Sequence, residues 1–250
     1  MKLLRDTALY ARRHGLQMLR NPVWLFVGLS TPLLYLALFT PLLKGLPGVG
    51  GANVLDNFLP RILSLLAFAS GSSAGFATIF ELQAGVIERF RVTPTSRLAI
   101  LLGPLVSGMT SMFIFDAVLV GVGAAFGYHV HWAGLLVLAV LLGIFSLTLA
   151  AFSTATALVT KEISAFAAVI NGINLPILLL AGVLLPISIG PEWMRVLAHF
   201  NPLYYLVVAS RSLGHGTFTG PAVWQAFAVL VPLCTISMAW ATRVYRRAVS

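Results

Sequence analysis

Residues 81–97, ELQAGVIERFRVTPTSR, form a polar and basic island in a chain in which only 9% of the 250 residues are charged. Residues 59–80 before it and 98–127 after it are apolar. Each is long enough to cross a bilayer, whose hydrocarbon core takes about 20 helical residues. The island therefore lies at one membrane face and is the segment best placed to meet another protein.

Hydrophobic residues make up 59% of the sequence, and mean hydropathy is +0.95. Apolar runs recur along the chain far beyond what the core of a soluble domain of this size needs. The fold expected is all-α: a polytopic membrane protein forming a single transmembrane domain over residues 1–250. Residues 1–22 carry Lys2, Arg5, Arg12, Arg13 and Arg20 and lack a short apolar region followed by a small-residue cleavage site, so no cleaved signal peptide is expected. A formal charge of +9 would suit nucleic acid, but the basic residues sit beside apolar spans and not on one hydrophilic domain. Topology explains them, and no nucleic-acid partner is expected. The single cysteine, Cys234, excludes an intrachain disulfide and a metal site built from thiolates.

Six spans are expected, at residues 23–43, 59–80, 98–127, 132–159, 163–187 and 223–242. An even number puts both termini on one side. With them fall Lys2, Arg5, Arg12, Arg13, Arg20, Arg89, Arg91, Arg97, Lys161, Arg243, Arg246 and Arg247, twelve of the sixteen basic residues, leaving Lys44, Arg61, Arg195 and Arg211 opposite. Positive loops are retained inside, so the termini and the island are expected in the cytoplasm of a cell whose plasma membrane holds the chain. Residues 3–20 mix Leu4, Tyr10, Leu16 and Leu19 with basic side chains, the pattern of an amphipathic helix lying among lipid headgroups; a solvated basic tail is the alternative. Small residues recur four apart at Ala67, Gly71 and Gly75 and at Ala117, Gly121 and Ala125, which lets helix backbones approach closely in lipid.

Between the fifth and sixth spans, Pro191 opens a helix whose Trp193, Val196, Leu197 and Phe200 recur at helical spacing. Asn201-Pro202 breaks it, and residues 203–209 are apolar but too short to cross before Arg211. The shape expected is an outer re-entrant segment that hides its backbone polar groups against the bundle.

Asp116 falls mid-span, where an ionised carboxylate costs about 2.5–3.5 kcal/mol. It must face protein or water or stay protonated, either as a structural group or as part of a substrate path. Asn171, Asn174 and Pro176 place amides beside an expected helix break, a polar point in a pathway or simply a satisfied break. His129, His131, His199 and His215 share the outer side without a carboxylate cluster, and no metal is expected there. No nucleophile, base and acid arrangement stands out, so an enzyme is not expected.

A P-loop needs a lysine followed by Ser or Thr, and the three lysines here precede Leu3, Gly45 and Glu162. No nucleotide-binding domain is expected in the chain, and no cofactor bound by it. ATP and magnesium would belong to a separate subunit docking on the cytoplasmic face. Proton coupling would want several intramembrane carboxylates, and only Asp116 is central.

Two separated motifs carry a family resemblance. The first is Glu81, Gly85, Glu88, Thr93-Pro94, Ser96-Arg97 and Gly103; the second is Leu175-Pro176, Gly182-Val183, Pro186, Pro191, Trp193, Asn201-Pro202-Leu203-Tyr204-Tyr205 and Arg211. The chain resembles the permease subunit of ABC type-2 exporters, the family of daunorubicin-resistance-type drug pumps and polysaccharide exporters. It departs from the family pattern at Gln83, where a charge is common, and at Val86, where Thr often follows the glycine.

The resemblance implies a cytoplasmic coupling helix between spans 2 and 3, received by an ATPase and carrying Glu81, Gly85, Glu88, Arg89, Arg91, Thr93, Pro94 and Arg97. It also implies that the outer segment with Trp193, Asn201, Pro202, Tyr204, Tyr205 and Arg211 caps the path. A dimer of permeases, identical or paralogous, would bind two ATPases and export an amphipathic drug, lipid or lipid-linked molecule. Apart from the resemblance, a membrane assembly scaffold and an ion-coupled carrier stay open. An adjacent ATPase reading frame favours the exporter, and paired acidic groups in the spans would have favoured the carrier.

Overall fold

The structure, a computed structural model, describes residues 22–44, 54–83, 97–183, 187 and 190–249. Among the described residues there are eight helices and no strand: α1 Pro22–Lys44, α2 Val54–Gln83, α3 Arg97–Ala125, α4 Trp132–Thr160, α5 Ile163–Leu180, α6 Glu192–Ala198, α7 Pro202–Gly214 and α8 Pro221–Val249. Five of them, α2, α3, α4, α5 and α8, are long and apolar enough to cross a membrane. The chain is a multi-pass membrane protein. Helix α1, at 23 residues, is predominantly apolar. The amphipathic segment at residues 3–20 lies outside the described residues.

Helices α2 and α4 form the centre. Helix α2 packs on α1, α3, α4, α5 and α7, and α4 packs on α2, α3, α5, α7 and α8. Lipid is as apolar as leucine, so burial alone does not drive helices together in a bilayer; close packing and interhelical hydrogen bonds do. Both are present at the α2–α4 seam. A methyl group on Gly71 would come within 2.8 Å of the Ser146 carbonyl oxygen, and one on Gly75 within 2.6 Å of the Ser153 carbonyl oxygen. The Gly75 backbone N–H donates to Ser153 Oγ at 3.0 Å, and that hydroxyl donates to the Ser72 carbonyl at 2.7 Å. The expected packing role of Ala67, Gly71 and Gly75 is met. The second small-residue face does not pack the same way: Ala117, Gly121 and Ala125 are exposed, and nothing lies within 4 Å of a methyl added at Gly121.

Three boundaries differ from expectation, each for a local reason. Helix α2 begins at Val54 and not at residue 59, because Asp56 and Asn57, polar enough to read as loop, find partners across the bundle. Helix α5 ends at Leu180, seven residues short of the expected span, since Gly182 turns the chain at φ +70°, a left-handed conformation that glycine adopts without a Cβ penalty. Pro176 does not break the helix: α5 runs through it to Leu180, giving up one backbone bond but not its continuity.

Candidate functional site

The polar island is framed by two packed helices. Helix α2 carries its apolar face up to Ile79, then ends with Glu81, Leu82 and Gln83; Glu81 is half-buried. Helix α3 opens at Arg97 and packs against α2. Gly85, Glu88, Arg89, Arg91, Thr93 and Pro94 lie outside the described residues. The two helix ends fix the start and finish of the island on a pair of neighbouring helices.

Asp116 stands on α3, 94% buried in the sense that only 6% of it is exposed, and neither carboxylate oxygen has a hydrogen-bond partner among the described residues. It lines a cavity of about 400 Å³ between α3 and α4, closed at the back by Leu63 of α2. Asn174 is elsewhere. Its side-chain oxygen accepts from the Ser72 hydroxyl at 3.2 Å, and it lines a smaller cavity of about 140 Å³ with Ser153 and Ser237. Asn171, three residues earlier on α5, is exposed. The sequence grouped Asp116 with the two amides as polar points; the structure divides them between different places.

The segment expected on the outer side forms a helix pair, α6 and α7. Trp193, Val196, Leu197 and Phe200 are all exposed, giving α6 the apolar outward face its spacing predicts. Asn201 is buried and joins two helices: its side-chain oxygen accepts the Leu203 backbone N–H at 3.0 Å as the N-cap of α7, and its nitrogen donates to the Ile177 carbonyl at 2.7 Å. Pro202 follows at the first helical position, where the missing N–H costs nothing. Leu203, Leu206, Val207 and Leu213 are buried where α7 packs on α2, α4 and α8. The Tyr205 hydroxyl donates to the His199 carbonyl at 3.0 Å, and the Tyr204 ring lies 5.3 Å from the His199 ring. Arg211 points out, within electrostatic range of the buried Arg61.

One constellation was not legible in the sequence. Buried Asp56 accepts the His129 backbone N–H at 2.9 Å and meets its Nδ1 at 3.1 Å, while His215 Nε2 lies 2.8 Å from the Asn57 side-chain oxygen. Burial, then the Asp56 charge, push the neighbouring Tyr128 hydroxyl up to about 12. The only available signal was the Asp-Asn pair beside an apolar run. His199 turns its Nδ1 to the Arg195 carbonyl, so His129, His199 and His215 hold separate partners. Among the described residues no three His, Cys, Asp or Glu side chains come together as a metal site.

Residues 6–213, which take in the island, Asp116 and the outer helix pair, match the protein family described as ABC-2 type transporter. The chain belongs to the ABC-2 type transporter family. It is the membrane permease subunit of an ABC transporter, and membership implies ABC ATPase subunits as partners. The permease is 29% identical over 216 residues to the transport permease ycf38 of Cyanophora paradoxa, covering 84% of this chain and 74% of that one. It is 24% identical over 227 residues to the daunorubicin resistance ABC transporter permease protein DrrB1 of Streptomyces coeruleorubidus, covering 90% and 80%.

Proposed function

We propose that the permease is the membrane half of an ATP-driven exporter for an amphipathic drug, lipid or lipid-linked molecule. The observation that carries this reading is a family match running unbroken through the island and the outer helix pair, the two segments a coupled exporter needs at opposite faces. A relative named for daunorubicin resistance supports a drug as cargo.

In this reading α1 completes six spans, and both termini lie in the cytoplasm of a bacterial plasma membrane. Two permeases, identical or paralogous, meet two ATPases. The single transmembrane domain binds no nucleotide; ATP and magnesium sit on the ATPases. Their closure pushes a coupling helix within residues 81–97, where Glu81, Gly85, Glu88, Arg89, Arg91, Thr93, Pro94 and Arg97 supply the contacts. Because that segment joins α2 to α3, the push tilts the bundle. The segment from Trp193 to Arg211 closes the outer end of the path until ATP-bound contacts favour the outward-open state. Only such differential contacts shift the equilibrium.

The test is purification of the tagged permease from its native membrane under mild conditions. The exporter reading expects an ABC ATPase to accompany it in equal number. A stable partner set without an ATPase would instead indicate a scaffold.

A further inference from the structure

We propose that Arg61 and Arg211 form a site for a phosphate group at the end of the bundle away from the island. Arg61, on α2, is only 7% exposed. Its enclosed Nε has no hydrogen-bond partner, and the side chain enters no ion pair among the described residues. Arg211, on α7, is exposed and stands within electrostatic range of it. The crossing of their helices brings the two together. A methyl group on Gly214 would clash with the Asp56 carbonyl oxygen and come within 2.9 Å of Pro60 Cγ, and His215 Nε2 lies 2.8 Å from the Asn57 side-chain oxygen.

Among the described residues no carboxylate pairs with either arginine. Asp56, five residues before Arg61, is engaged by the His129 backbone N–H and ring. A buried carboxyl group can become neutral by taking up a proton, but a guanidinium keeps its charge. A buried charge without a partner is costly, and a second positive charge beside it adds to the cost. An anion held by both arginines relieves both. Each guanidinium presents a planar fork of N–H donors, and a phosphate has oxygens enough to accept from two forks. The depth suits a lipid headgroup. Arg61 stands 22 residues before Gln83 on the same helix, about 33 Å at 1.5 Å per residue, close to the roughly 30 Å of a hydrocarbon core. With the island at one headgroup layer, the arginine pair falls at the other. Trp132 and Trp224, exposed in the first turns of α4 and α8, mark the same level, as aromatic residues do at membrane interfaces. A free phosphate offers the same oxygens, and the experiment separates the two sources. Binding here requires neither ATP nor the ATPase and does not rest on the exporter reading.

The experiment uses the delipidated full-length permease in dodecyl maltoside. Native mass spectrometry measures binding of dioleoyl phosphatidylglycerol and of dioleoylglycerol, which share their chains and differ in the phosphoglycerol group. Equilibrium dialysis measures binding of radiolabelled inorganic phosphate. The phospholipid should bind at least about tenfold more tightly than the diacylglycerol, the advantage that charged hydrogen bonds confer. Arg61→Gln and Arg211→Gln should each remove most of that preference, while Arg195→Gln, which takes an exposed charge from α6, should keep it. Saturable phosphate binding that Arg211→Gln abolishes, without a lipid preference, would assign the site to a free anion. Neither a lipid preference nor saturable phosphate binding in the folded wild-type chain overturns the proposal. So does a lipid preference or phosphate binding that a folded Arg61→Gln or Arg211→Gln retains, or one that Arg195→Gln lowers equally. If Arg61→Gln does not fold, the exposed Arg211 decides the matter.

Discussion

The Asn201 side-chain nitrogen donates to the Ile177 carbonyl at 2.7 Å, tying the start of α7 to the end of α5. That carbonyl belongs to the last turn of α5, where intrahelical partners run out. The same side chain caps α7 through the Leu203 N–H, so one buried amide satisfies orphan groups on two helices. The α6–α7 pair is thereby joined to the end of α5.

Asn201→Ala should therefore lower stability by more than a cap alone. Loss of the cap costs about 0.5–2 kcal/mol, and the stranded carbonyl adds about 1–3 kcal/mol. Thermal unfolding of the purified permease measures the sum. Asn201→Asp, which retains the acceptor but not the donor, should fall between wild type and Ala; an Asp variant as unstable as Ala would mean that the link to Ile177 carries the whole effect.

The two small-residue faces give opposite expectations for the same chemical change. Gly75→Ala drives a methyl into the Ser153 carbonyl and the Phe166 ring, and should cost about 1–3 kcal/mol, as overpacking does. Gly121→Ala meets nothing and should leave the melting temperature unchanged. Comparison of the two variants by thermal unfolding in detergent tests whether the α2–α4 seam is the centre of the bundle.

Much of this could be read from residues alone. Gly71 and Gly75 announce a close helix contact, and the Asn201-Pro202 pair announces a new helix start, because both depend on local geometry that travels with the residue type. The Ala117 face reads identically in sequence yet borders a cavity, since four-residue spacing shows that a neighbour can approach, not that one does. The Asp56–His129 contact spans 73 positions and has no local signature at all. Pro176 reads as a break, but a helix held among neighbours tolerates the loss of one backbone bond. The island's polarity sets it apart from the apolar stretches on either side, and residues 84–96 lie outside the described residues.

Tyr128 offers a pH test of the outer constellation. Its hydroxyl is pushed up to about 12, so the folded state holds the phenolic proton more tightly than the unfolded chain does. The associated stability is complete below the ordinary tyrosine value near 10 and is lost as pH rises through about 12. Phenolate absorbance, with Tyr128→Phe as the difference reference, should show a late titration. Asp56→Asn should shift it toward the ordinary value, although burial, the larger cause, keeps part of the rise; a Tyr128 titration already ordinary in the wild-type permease would contradict this packing.

Reversal of charge in the island probes the proposed coupling contacts. Glu88→Arg should leave insertion and yield intact while the ATPase response to the permease falls at least about tenfold, since truncating or reversing one member of a buried charged contact costs about 2–5 kcal/mol. Membrane yield and coupled hydrolysis, measured on the same preparation, check both halves. Normal coupling would remove Glu88 from the interface.

The most direct measurement is ATP hydrolysis in proteoliposomes holding the permease and its co-purified ABC ATPase, with and without the permease and across a panel of amphipathic drugs and lipids. Hydrolysis should depend on the permease and be stimulated by at least one class of amphiphile. Hydrolysis indifferent to a folded permease, with no stable complex between the two chains, would contradict it.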